Sequence, residues 1–205
     1  MEHGYPAETH KVITEDSYIL TMHRIPYGAN NNLDYRKGVV ILLHGLHLSS
    51  ADWLFIGPNN ALRKSLILNL FLENFYQTNL SAFLLAVAGY DVWLSNSRGN
   101  DQSQEHLYLD PTTSTKYWNF SWYEMGIYDL PAIINYTLSK TGETDLTLVG
   151  HSQGCTETFI AGIFHPYLFR QIKILFALAP AAYMGGTQNL YLRSIADFEP
   201  ILRVR

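Results

Sequence analysis

The sequence predicts an α/β fold with a doubly wound, mainly parallel sheet, and three observations carry that expectation. Strand-length apolar runs alternate with helical stretches along most of the 205 residues. The run Gly38-Val39-Val40-Ile41-Leu42-Leu43 is apolar on both faces, as a central parallel strand must be. The stretch Leu146-Thr147-Leu148-Val149-Gly150-His151-Ser152-Gln153-Gly154 passes from a buried strand through a sharp turn into a helix.

The elements follow in order. Residues 9–26 read as a hairpin, because Val12, Tyr18, Leu20 and Met22 alternate with polar neighbours about a Glu15-Asp16-Ser17 turn. Residues 27–37 are rich in Asn and Gly and read as a surface loop. The central strand at 38–43 runs into His44-Gly45-Leu46, and residues 50–60 continue as loop. A short helix at 82–89 closes on Gly89, and Tyr90-Asp91-Val92-Trp93-Leu94 forms the next strand before the turn Asn96-Ser97-Arg98-Gly99-Asn100. Polar loop extends to about Trp118. Residues 122–141 read as a helix from the spacing of Met125, Tyr128, Ile133, Tyr136 and Leu138, with Pro131 placed to kink it and Gly142 to end it. Residues 156–164 form a further helix, and residues 172–179 another buried strand ahead of Pro180.

Length suits one domain, residues 1–205, with a substantial core. Hydrophobic residues at 47% and charged residues at 16% describe a globular chain. A net charge of −4 and the lack of any basic run argue against nucleic acid as a partner. The single cysteine, Cys155, permits no internal disulfide and reads as a small buried packing group. No apolar run reaches the length of a membrane span, and no signal peptide is visible at Met1-Glu2-His3-Gly4-Tyr5-Pro6. Asn79, Asn119 and Asn135 head acceptor sequons for glycosylation, which matter only in a secretory compartment.

The chemistry concentrates at Gly150-His151-Ser152-Gln153-Gly154. Chance alone supplies roughly 0.06 Gly-x-Ser-x-Gly matches in a chain of this composition. A serine at the apex of so tight a turn takes strained backbone angles, so Gly150 and Gly154 must lack side chains where strand and helix pass close. The pattern is that of the nucleophile elbow of an α/β-hydrolase, which makes Ser152 the expected nucleophile; the alternative is an ordinary tight turn. The main-chain N–H groups of Gln153 and Leu46 are then the expected oxyanion-hole donors, and Gly45 lets the backbone approach the substrate oxygen. His44 is expected to orient its loop through hydrogen bonds. His44 and His47 also have the spacing of a metal pair, but no third ligand accompanies them, so neither metal nor cofactor is expected. His151 cannot serve as base, because adjacent side chains diverge at an elbow.

Several motifs together resemble the acid lipases, the group that includes lysosomal acid lipase, gastric lipase and many insect relatives. They are Gly4-Tyr5-Pro6-Ala7-Glu8, Thr14-Glu15-Asp16-x-Tyr18-Ile19-Leu20, His44-Gly45-Leu46, Ser50-Ala51-Asp52-Trp53, Gly57-Pro58-Asn59-Asn60 and Ala88-Gly89-Tyr90-Asp91-Val92-Trp93. Further along come Asn96-Ser97-Arg98-Gly99-Asn100, Phe120-Ser121-Trp122-x-Glu124-Met125-Gly126, the elbow itself and Leu178-Ala179-Pro180. The resemblance implies a serine ester hydrolase that cleaves triglycerides or sterol esters, in transient contact with a lipid surface, secreted or lysosomal.

Two departures stand against the family pattern. About 18 residues, 63–80, intervene where relatives pass almost directly from Gly-Pro-Asn-Asn into the Ala-Phe-Leu-Leu helix. An added lid helix and a retained intron are both open readings, and the Leu-, Asn- and Phe-rich composition favours the intron. The fold is also expected to be incomplete at the C-terminus, without the cap and last strands that carry the triad Asp and His in relatives. His165 lies too far down the elbow helix to reach Ser152, and Asp197 stands near a divergent terminus. The expectation is therefore a nearly inactive chain; the alternative is a non-catalytic lipase-like fragment or lipid-binding pseudoenzyme.

Overall fold

In a computed structural model of the chain, the described residues are 5–26, 37–54, 82–186, 188 and 193. The expected loop at 27–36, the stretch 57–60, the insertion at 63–80 with Asn79, and Asp197 lie outside them.

The hairpin forms as expected: β1 (Glu8–Ile13) pairs antiparallel with β2 (Tyr18–Ile25). β3 (Val39–Leu43), β4 (Asp91–Ser95), β6 (Leu146–His151) and β7 (Ile172–Leu178) make the parallel part of the sheet, and the order is β1-β2-β4-β3-β6-β7. β2 joins that part through an antiparallel pairing with β4. A two-residue strand, β5 (Glu105–His106), pairs with β2 inside the expected polar loop. So short a segment carries no period for a sequence pattern to show.

Alternate residues of the central strands feed two cores. Val39, Ile41 and Leu43 join Trp93, Leu146 and Leu148 on one face, under Leu130, Ile133, Ile134, Leu138 and Ala161. Val40 and Leu42 join Val92, Leu94 and Val149 on the other, under Ala82 and Ala86 of α1 (Ala82–Val87). Helices thus cover both faces, the arrangement that continuous apolar strands require.

The helical stretch from residue 122 has three parts: α2 (Trp122–Glu124), a π-helical turn (Met125–Asp129) and α3 (Leu130–Thr141). Ser121 opens it with a capping box to Glu124, and Gly142 closes it at φ +75°. The irregularity precedes Pro131, which sits in the first turn of α3. A proline has no N–H for the carbonyl four residues earlier, here that of Ile127. His165 Nε2–H donates to that carbonyl instead, at 2.9 Å. The expectation that His165 stays away from Ser152 gains a structural reason, since its ring serves the interrupted helix.

One expectation is corrected. β7 is not buried: Ile174 and Phe176 are 47% and 51% exposed. Among the described residues β7 is a sheet edge that pairs only with β6, so its side chains lack the second neighbour that closes over a central strand.

Candidate active site

The elbow forms where β6 meets α4 (Gln153–Phe164). The helix begins at Gln153, earlier than the expected residue 156. Ser152 sits between them at φ 51° and ψ −109°, a conformation that costs an L-residue about 1–3 kcal/mol. Its backbone is clamped on both sides. Ser152 N–H donates to Leu178 C=O at 2.9 Å, and Ser152 C=O accepts from Cys155 N–H at 3.1 Å. The flanking glycines are sterically required. A Cβ on Gly154 would stand 2.7 Å from Leu43 Cβ and 2.9 Å from Leu43 O, and one on Gly150 would meet the Gly154 carbonyl carbon and Cys155 N at 3.0 Å.

The loop after β3 reaches this point. A Cβ on Gly45 would lie 3.3 Å from Ser152 Cβ and 3.0 Å from His151 Nδ1, so the Gly45-Leu46 backbone approaches the serine because residue 45 has no side chain. Gln153 opens α4, so its N–H has no partner within the helix. Both expected donor segments therefore flank Ser152. His44 hydrogen-bonds within and beyond this loop. It is buried, its Nε2 accepts from Ser97 N–H at 3.2 Å, and its Nδ1–H donates to Gly45 C=O at 2.8 Å. Burial pushes its pKa below the usual imidazole range, which keeps the ring neutral.

A cleft of about 590 Å³ opens beside the site. Its wall includes Gly45, Leu46 and Gln153, with Trp118, Phe120 and Trp122 on the far side. Trp118, Trp122 and Leu46 of that lining are 45%, 50% and 40% exposed, so the cleft presents apolar side chains to solvent. Ser97 and Arg98 of this lining belong to a buried network joined to the hairpin turn and the π-helical turn. Arg98 donates to both oxygens of Asp16, at 2.6 and 2.8 Å, and to Asp129, at 2.8 Å from Nε and 3.0 Å from the main chain. Tyr18 stacks on its guanidinium at 3.9 Å. Next to it, Ser97 Oγ–H and Gln153 Nε2 both donate to the carboxyl of Glu157, which is buried. The signal available in the sequence was a lone carboxylate on the inward stripe of the elbow helix.

Among the described residues no side chain hydrogen-bonds Ser152 Oγ, and no cluster of three or more His, Cys, Asp or Glu is placed to hold a metal. Cys155 is buried, with its Sγ–H on Gly150 C=O at 3.0 Å, and burial pushes its thiol pKa up, as a packing residue requires. Asn119 is exposed; Asn135 is exposed too, but Thr137 of its sequon is buried in α3. No helix among the described residues is long and apolar enough to cross a membrane.

Comparison with known proteins agrees with this geometry. Residues 38–172 match the family described as alpha/beta hydrolase fold, and residues 1–57 match the partial alpha/beta-hydrolase lipase region. The chain is 47% identical to gastric triacylglycerol lipase of Bos taurus, over 92% of this chain and 43% of that protein. It is 43% identical to Lipase 3 of Drosophila melanogaster, over 97% of this chain and 45% of that protein. It spans less than half the length of these curated relatives. Among solved structures, the Pyrococcus furiosus esterase Pf2001 superposes with a TM-score of 0.56 at 17% identity, over 98% of this chain and 60% of that one, which speaks to the fold alone. Elbow, sheet order and family match converge, and the chain belongs to the alpha/beta hydrolase family.

Proposed function

We propose that this chain carries the nucleophile and oxyanion hole of a serine ester hydrolase of the acid-lipase type, acting on triglycerides or sterol esters in a secreted or lysosomal setting. The observation that carries the reading is Ser152, held at φ 51° and ψ −109° at the head of α4 with the Gly45 backbone pressed against it. Ser152 Oγ attacks the ester carbonyl and gives up its proton to a base. The tetrahedral oxyanion sits between the N–H groups of Leu46 and Gln153, each lowering the barrier by about 2.7–4 kcal/mol. The base returns the proton to the leaving alkoxide, and water then hydrolyses the acyl-enzyme to free the acid.

Names of the relatives support the substrate class, because the Bos taurus protein is a triacylglycerol lipase. The exposed apolar side chains of Trp118, Trp122 and Leu46 support contact with a lipid surface. Among the described residues no side chain bonds Ser152 Oγ, which supports slow turnover by these residues alone. Loss of a triad base costs about a million-fold in rate. Hydrolysis of p-nitrophenyl butyrate tests this. The rate starts that far below a complete triad, rises about tenfold when imidazole supplies the base, and loses the increment in Ser152→Ala. An imidazole response above the protein-free imidazole blank that survives Ser152→Ala overturns the assignment.

A further inference from the structure

We propose that Glu157 is a positioning residue that ties together the two segments carrying the oxyanion donors. The inference rests on the reading of Ser152 as nucleophile between Leu46 and Gln153. Its basis is a continuous buried relay from one segment to the other. Gly45 C=O accepts from His44 Nδ1–H at 2.8 Å, and His44 Nε2 accepts from Ser97 N–H at 3.2 Å. A main-chain N–H can only donate, so the ring proton must be on Nδ1. Ser97 Oγ–H donates to Glu157 Oε1 and Oε2 at 3.1 and 3.2 Å, and Gln153 Nε2 donates to Oε1 at 3.0 Å. His44, Ser97, Glu157 and Gln153 are all 6% exposed or less. Glu157 is the central link, an acceptor shared by the turn after β4 and the elbow helix.

The surroundings explain why the link is a proton-sensitive one. No cation pairs with Glu157 among the described residues. Asp129 repels it from the π-helical turn, Arg98 attracts it from the turn after β4 while engaged with Asp16 and Asp129, and Cys155 lies on its own helix. Burial pushes its carboxyl up to about 7. Gln153 Oε1 is buried without a partner, so the side-chain amide of Gln153 is oriented through Nε2 alone, toward Glu157 and Met125 Sδ at 3.3 Å. A change at Glu157 therefore moves Gln153 on one side and, through Ser97 and His44, the loop bearing Leu46 on the other.

The test follows the amide resonances of the ¹⁵N-labelled chain from about pH 5 to 9 in a His47→Asn, His151→Asn background, which removes the imidazoles adjoining the two reporter amides. The N–H signals of Leu46 and Gln153 are expected to shift together with one midpoint, near 7. Glu157→Gln keeps an acceptor for Gln153 and a polar partner for Ser97, so both signals hold their low-pH positions with no midpoint. Glu157→Leu displaces both at every pH; if that variant does not fold, Glu157→Gln decides. A midpoint that survives in Glu157→Gln, or a Leu46 signal indifferent to both variants, overturns the inference. In the imidazole-assisted reaction of Ser152 with a fluorophosphonate, Glu157→Leu slows labelling about tenfold and Glu157→Gln leaves it within about twofold. Shared titration of the two amides without any labelling of Ser152 upholds the relay and removes the nucleophile reading instead.

Discussion

Replacing Arg98 by methionine removes the cation paired with Asp129, whose side chain is completely buried. Asp129 then loses the Nε bond of 2.8 Å and the Nη2 contact of 2.7 Å, keeping only the main-chain N–H at 3.0 Å. Leaving a buried charge without its partner costs about 3–5 kcal/mol. For a chain of this size that lowers Tm by about 6–20 °C. Asp16 contributes little to the loss, since its side chain is 25% exposed and water replaces the guanidinium. Burial already pushes the Asp129 carboxyl up to about 6, and without Arg98 it rises further. A raised folded pKa makes the deficit greatest above that value and smaller as pH falls through it. Thermal unfolding of Arg98→Met at about pH 7.5 and 5 reads both effects, and Arg98→Met with Asp129→Leu recovers most of the loss. A melting curve of Arg98→Met within about 1 °C of the parent at the higher pH refutes the reasoning.

Three further outcomes follow from the same geometry. Gly154→Ala places a Cβ 2.7 Å from Leu43 Cβ and 2.9 Å from its carbonyl oxygen, so denaturant unfolding records a loss of at least about 1–3 kcal/mol; an unchanged midpoint contradicts the packing. Ser152→Gly releases the strain at φ 51°, and the variant gains about 1 kcal/mol of stability while losing all reactivity with esters; a less stable variant contradicts the strained elbow. Glu157 has a folded value of about 7 against an ordinary 4.5, so its favourable contribution is complete below the lower value and lost as pH rises through the upper one. Glu157→Gln therefore matches the parent near pH 4 and exceeds its stability by about 3 kcal/mol above pH 8, and parallel stability curves rule this out.

Local sterics made the site legible before the fold was known. Gly150, Ser152 and Gly154 encode their own backbone geometry, and Gly45 encodes the close approach of the neighbouring loop. The apolar run at residues 39–43 announced a strand covered on both faces, and two cores do cover it. What stayed hidden depends on contacts distant in sequence. Beyond being the lone carboxylate of the elbow helix, Glu157 has no local sequence signal to set it apart from other helical carboxylates. It is buried because Gly126 lets the π-helical turn approach α4, where a Cβ would strike Ile160 Cγ2 at 2.5 Å. The sequence places His165 too far along the elbow helix to reach Ser152, and only the fold brings it to the Ile127 carbonyl, four residues before Pro131. The exposure of β7 was equally out of reach, because an apolar run does not say whether its strand has one neighbour or two.

Covalent mapping tests most directly whether Ser152 is the reactive group of this molecule. The chain is incubated with an alkyl fluorophosphonate and imidazole, digested, and sequenced by mass spectrometry. The account predicts one adduct, on Ser152, absent from Ser152→Ala. Adducts on another serine such as Ser49, or labelling undiminished in Ser152→Ala, contradict it.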